Sequence, residues 1–156
     1  MIGIENINRY LYLIIIPMIF QLYSCGSTSD LNHVQNFKID YYTTGGVTGR
    51  SDGLTVNSVG QLKIWNGITY TKRIISDSLL IKNDDIIRLS KLLEDSTIYN
   101  FKHKETGNLT TILNFTSDSG SNTISYSETI TNTSFPHKIK ELISKLNELK
   151  NKRYKK

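Results

Sequence analysis

Apolar and polar side chains alternate with a period of two through much of the chain before residue 76. That spacing turns one face of a strand to a core and the other to water. Phe37, Ile39 and Tyr41 alternate with Lys38, Asp40 and Tyr42, and Gly45, Gly46 and Gly49 then break the strand. Leu54-Thr55-Val56-Asn57 and Gln61-Leu62-Lys63-Ile64-Trp65 flank Ser58-Val59-Gly60, which is a hairpin signal. Asn66-Gly67 is a stronger two-residue turn and predicts a further strand over residues 68–75. After Lys82 the period changes to that of a helix. Asn83 is placed to cap it, Asp84 and Asp85 sit in its first turn, and Ile86, Leu89, Leu92 and Leu93 fall on one stripe, so a helix over 84–95 is expected.

Alternation returns at Leu109, Thr111, Leu113 and Phe115, and again at Ile124, Tyr126, Glu128 and Ile130. The polar turn at residues 117–121 makes these a second hairpin. A last helix begins near Pro136 and carries Ile139, Leu142, Ile143, Leu146 and Leu149 on one face. The predicted order is ββββαββα. It describes an α+β domain in which an antiparallel sheet of about six strands has two helices packed on one face.

Ahead of this domain the pattern differs. Residues 10–22 are an apolar run interrupted by Pro17 and Gln21, preceded by Arg9 and followed by Ser24 and the only cysteine, Cys25. This run is about a dozen residues, and a spanning helix needs roughly 20, so a cleavable secretion signal fits better than a permanent span. Leu22-Tyr23-Ser24-Cys25 resembles the lipobox of a bacterial lipoprotein precursor. The resemblance implies cleavage before Cys25, a diacylglyceryl group on its thiol, acylation with palmitate-like chains, and a membrane-anchored place in the bacterial envelope, with the outer membrane or cell surface expected ahead of the cytoplasmic membrane. Each buried methylene contributes about 0.8 kcal/mol, so two or three chains on one residue anchor the protein firmly. Residues 26–36 are polar and read as a tether with a reach of roughly 18 Å. The expected layout is a signal peptide over 1–24, a lipidated cysteine and tether over 25–36, one domain over 37–150 and a basic tail over 151–156.

Charge sharpens the end of the chain. The net charge is +5, and eight basic against two acidic residues fall between positions 138 and 156. Lys150, Lys152, Arg153, Lys155 and Lys156 read first as a solvated helix end and second as a patch for anionic lipid beside the anchor. Nucleic acid is a poor partner for an exported lipoprotein.

Chemistry is sparse. His33, His103 and His137 have no spacing suited to zinc and read as solvated surface residues. Asp84-Asp85 and Glu94-Asp95 read as helix-terminal charges, and no Gly-x-Ser-x-Gly elbow occurs. No catalytic residue, metal or cofactor is expected. Tyr41, Tyr42, Trp65 and Tyr70 read as core or face-filling aromatics, with an exposed patch for sugar or protein contact as the alternative. Three Asn-x-Thr/Ser triplets, at Asn108, Asn114 and Asn132, match the glycosylation pattern and read as chance in such a chain.

The most unusual mature stretch is Thr43-Thr44-Gly45-Gly46-Val47-Thr48-Gly49-Arg50. It lacks the Gly-Lys-Ser/Thr ending and following helix of a phosphate loop, which disfavours nucleotides. Gly45, Gly46, Thr48, Gly49 and Arg50 are therefore either a turn or a partner-binding loop. Gly45-Gly46-x-x-Gly49 after a first strand, followed by a meander, a helix, a hairpin and a final helix, resembles the small metalloprotease inhibitors called emfourins. That resemblance implies a binding or inhibitory domain. The leading expectation is a lipid-anchored, non-catalytic binding protein. The alternatives are a membrane-tethered protease inhibitor and an enzyme of unrecognised type.

Overall fold

The computed structural model describes residues 34–68, 72–127 and 134–152. The expected anchor at Cys25 and Tyr70 of the aromatic set lie outside the described residues, as do Arg153, Lys155 and Lys156 of the tail.

Six strands form one antiparallel sheet: β1 (Phe37–Gly45), β2 (Arg50–Asn57), β3 (Gln61–Gly67), β4 (Arg73–Leu80), β5 (Leu109–Ser117) and β6 (Gly120–Ser127). Their spatial order is β4-β3-β2-β1-β5-β6, so β1 lies between β2 and β5 while β4 and β6 are the edges. Among the described residues three helices complete the fold: α1 (Asn83–Leu93), α2 (Ser96–Asn100) and α3 (His137–Asn151). The α+β class and the six antiparallel strands agree with the reading of periodicity. The order is ββββααββα, with one helix more than expected. α2 is a single turn started by Asp95, whose carboxylate accepts from the Thr97 amide at 2.9 Å. Five residues are too few for a helical period to show.

One hydrophobic core joins the sheet to the helices. Phe37, Ile39 and Tyr41 of β1 meet Leu54 and Val56, Leu62 and Ile64, Leu113 and Phe115, and Ile124 and Tyr126 on one face of the sheet. Ile86, Leu89, Leu92 and Leu93 of α1, Ile98 of α2, and the expected stripe of α3 pack into the same cluster.

Two boundaries differ from expectation. Asn66 and Gly67 are not a turn, because they stay in the ladder opposite Ile74 and Arg73. The strand expected over 68–75 therefore runs from Arg73 to Leu80. Every residue of β4 is exposed or half-buried, so this strand has no buried face and leaves no alternation to read. At the other boundary, the stretch taken as tether overlaps the domain. Gln35 is buried, its amide donates to Ser90 Oγ at 3.1 Å, and its side chain donates to the Ser90 carbonyl at 2.9 Å.

Candidate functional site

The three helices share one face of the sheet, and among the described residues none packs on the other. That open face carries Lys38, Asp40 and Tyr42 of β1, Thr55 of β2, Gln61, Lys63 and Trp65 of β3, and Arg73 and Ile75 of β4. The strand register sets this array, with Asp40 opposite Thr55, Thr55 opposite Lys63, and Trp65 opposite Ile75.

At its centre an aromatic residue is buried without joining the core. Trp65 is only 2% exposed because the Arg73 guanidinium lies 4.2 Å from its ring centroid and Tyr42 packs at 5.4 Å. A cation this close to an indole face is attracted by the ring quadrupole. Arg73 is also held by charge, donating to Asp40 Oδ1 at 2.9 Å. Thr55 completes the link by donating to the same oxygen at 2.5 Å and accepting from the Trp65 indole at 3.2 Å. Tyr42 and Trp65 thus fill the open face, Tyr41 lies in the core, and a solvent-exposed aromatic patch is not what these three form.

Beside this stack lies a depression of about 300 Å³ lined by Lys38, Thr55, Asn57, Gln61, Lys63, Trp65, Arg73 and Ile75. Three cations, Lys38, Lys63 and Arg73, line it, and no carboxylate does among the described residues. Lys38 lies 3.8 Å from Asp40, whereas Lys63 makes no ion pair among the described residues. The depression is therefore positively charged, with an apolar wall at Ile75.

The glycine loop closes the β1–β2 hairpin. Gly45 pairs with Arg50, and residues 46–49 make the turn. Gly45 has φ of 124° and comes so close to the Asn108 carbonyl that a Cβ would overlap it. The Gly46 amide donates to that same carbonyl at 2.6 Å. These two glycines serve the hairpin's own packing on the start of β5. The residues left available to a partner are Thr48 and Arg50, which are exposed, together with Val47, which is fully exposed at the tip. Val47 was not among the expected site residues. A valine between glycines carries no sequence signal, and its exposure follows only from the turn.

The basic end of α3 is partly engaged. Lys150 pairs with Asp52 at 2.5 Å, and Lys152 reaches Asp85 at 3.2 Å and Glu148 at 2.8 Å. Lys145, almost fully buried, also pairs with Asp85 at 2.5 Å. Burial pushes the Asp85 carboxyl upward, but hydrogen bonds from Lys145 and Lys152, with their charges, outweigh it and hold the group below its ordinary value. Glu148 is lowered too, by hydrogen bonds from Lys152 and Lys145. Two of the five cations expected to face lipid are thus ion-paired within the domain.

His103 is not a solvated residue. Its ring stacks on Phe101 and meets Phe135 edge-on at 5.1 Å, with Glu105 at 3.5 Å. His137 is exposed, and His33 lies outside the described residues. Among the described residues no helix is long and apolar enough to cross a membrane, and no group of three His, Cys, Asp or Glu side chains is placed to hold a metal.

No protein-family model matches the chain. No curated protein is significantly similar to it in sequence.

Proposed function

We propose that this protein is a lipid-anchored component of the bacterial envelope whose α+β domain binds a partner and performs no chemistry. Residues 1–24 direct export and Cys25 carries the lipid. The observation that carries the binding role is the sheet's open face: its charged and aromatic groups are locked together, and beside them a positively charged depression and the exposed Ile75 and Leu80 of β4 are left uncovered among the described residues. Enzymes need groups free to exchange protons or attack a substrate. Here Asp40, Thr55, Trp65 and Arg73 satisfy one another, which builds a rigid surface.

Two measurements test this reading. Metabolic labelling with a palmitate analogue is expected to mark the wild-type chain and not Cys25→Ala; equal labelling of both removes the anchor. A photo-crosslinking residue at Ile75 is expected to trap one discrete partner in cells, while the same residue at Lys140 on α3 traps none. Identical products from both positions remove the binding face.

A second reading has its own observation. Val47 stands fully exposed on a hairpin tip braced by Gly45 and Asn108, about 26 Å along β1 from Phe37. Such a tip suits insertion into a protease cleft, in keeping with the emfourin-like order of elements. Inhibition of a thermolysin-like protease by the wild-type chain, lost in Val47→Asp, is the expected result. Absence of inhibition at micromolar concentration ends this reading.

A further inference from the structure

The two edges of the sheet are finished differently. The outer edge of β6 is covered by the chain itself: Ser125 donates to the His103 carbonyl at 3.0 Å and accepts from the Glu105 amide at 3.0 Å. Strand β4 pairs only with β3 among the described residues. It has neither proline nor lysine, and although Arg73, Asp77 and a bulge at Ser76 interrupt it, it exposes Ile74 (68%), Ile75 (54%), Leu79 (37%) and Leu80 (78%).

The direction of its backbone groups can be read from its neighbours. The Ile81 amide donates inward to Gly60 O at 3.0 Å, so by alternation Leu79 also points to β3 while Ser78 and Leu80 point outward. The Ser78 amide agrees with this, since it donates to the Asp77 carboxylate at 2.9 Å in an exposed position. A local bond of this kind satisfies the edge in water, and an incoming carbonyl can replace it.

We propose that β4 is the docking edge for an extended acidic-apolar peptide segment of a partner, which adds to the sheet as a seventh strand. This deepens the binding role proposed above and rests on it. Charge selects the peptide. Ser78 lies opposite Lys63, so a residue paired with Ser78 lies two strand spacings, about 9.6 Å, from Lys63. Ser78 is small, and a glutamate there meets, across it, a lysine that makes no ion pair among the described residues. On the helix side Ile74 and Leu79 call for apolar residues, which gives the alternation of a strand.

A second copy of the chain fits less well. Ile64 pairs with Asp77 and Trp65 with Ile75, which leaves Ser76 as an extra residue. Across that bulge the side chains exchange faces. Two identical bulged strands would match faces for only a few residues, whereas a pliant peptide follows the bulge.

The test uses the full chain in lipid nanodiscs and two labelled synthetic octapeptides, one alternating valine and glutamate, the other valine and lysine. The valine-glutamate peptide is expected to bind at least tenfold more tightly and to slow deuterium exchange in β4. Ser78→Pro removes an amide that β3 does not use, so circular dichroism should be unchanged and binding lost. Lys63→Glu should reverse the preference between the peptides. Binding of neither peptide at 1 mM, binding unaffected by Ser78→Pro in a folded chain, or self-association of the chain that Ser78→Pro abolishes would each overturn the proposal. Crosslinking from Ile75 that persists without peptide binding would leave the broader binding role standing and remove strand addition alone.

Discussion

The β6 and β4 edges belong to one sheet and use the same antiparallel ladder, yet among the described residues one is covered by a neighbouring segment and the other is bare. β6 is sealed by residues 101–105, and a buried side chain holds them there. Asn122 donates to the Ile98 and Phe101 carbonyls, both at 2.7 Å, and accepts from Lys102 at 3.1 Å. Phe135 then packs edge-on against Tyr126. On β4, Arg73 reaches across the open face to Asp40 at 2.9 Å and the Ser76 hydroxyl donates to the Ile64 carbonyl at 3.1 Å. A free edge is therefore not a general property of this fold, and its presence on one side alone directs attention to that side.

The largest effect should come from unsealing β6. Asn122→Ala strands one buried and one half-buried carbonyl and is expected to cost about 3 kcal/mol in urea unfolding. A loss below 0.5 kcal/mol would mean that the cover of β6 is incidental and the contrast between edges empty. Next in size is Arg73→Ala, which removes both the Asp40 ion pair and the contact with Trp65. A loss of about 1–2 kcal/mol is expected, with faster amide exchange in β4 and none in β6. Equal acceleration at both edges would show that the edges open together.

Acid separates the two sides further. The folded-state pKa of Asp85 is lowered, so its contribution is present above the ordinary value of 3.8 and is lost as pH falls through the folded value. Asp85 joins the start of α1, which follows β4 directly, to Lys145 and Lys152 of α3. The seal on β6 rests on backbone amides and the Asn122 amide, with Lys102 and the His103–Glu105 pair beside it and no carboxylate held between two lysines. Below pH 4, exchange in α1 should therefore rise before exchange in β6, and the reverse order would contradict this assignment. The smallest effect is expected at the bare edge itself. Leu80→Thr should change stability by less than about 0.5 kcal/mol, because the side chain is already in water; a larger loss would show that β4 is covered in solution.

Most of the fold was legible because burial and periodicity coincide. β1, β5 and α3 each turn one face to the core, and Ile39, Phe115 and Leu142 could be assigned from spacing alone. β4 was misplaced by five residues at its start because Ile74, Ile75, Leu79 and Leu80 are apolar without being buried, so their order carries no period. The candidate site was less legible still. Gly45 and Gly46 stood out as a motif but serve packing on Asn108, while Val47, Lys63 and Ser78 have no distinctive sequence context.

The order of strands and longer helices, the stripe on α3 and the basic end of the chain follow from the sequence by itself, since each depends on residues close together along it. The expected lipid site at Cys25 is of the same local kind. Only the tertiary structure decided that Trp65 is buried beneath Arg73 on the face away from the core, that Lys145, Lys150 and Lys152 are ion-paired, and that one edge is covered while the other is bare. These depend on strand register and on which segment returns to which edge. Such long-range pairings are set by the joint packing of the whole domain, so no local window of residues contains them.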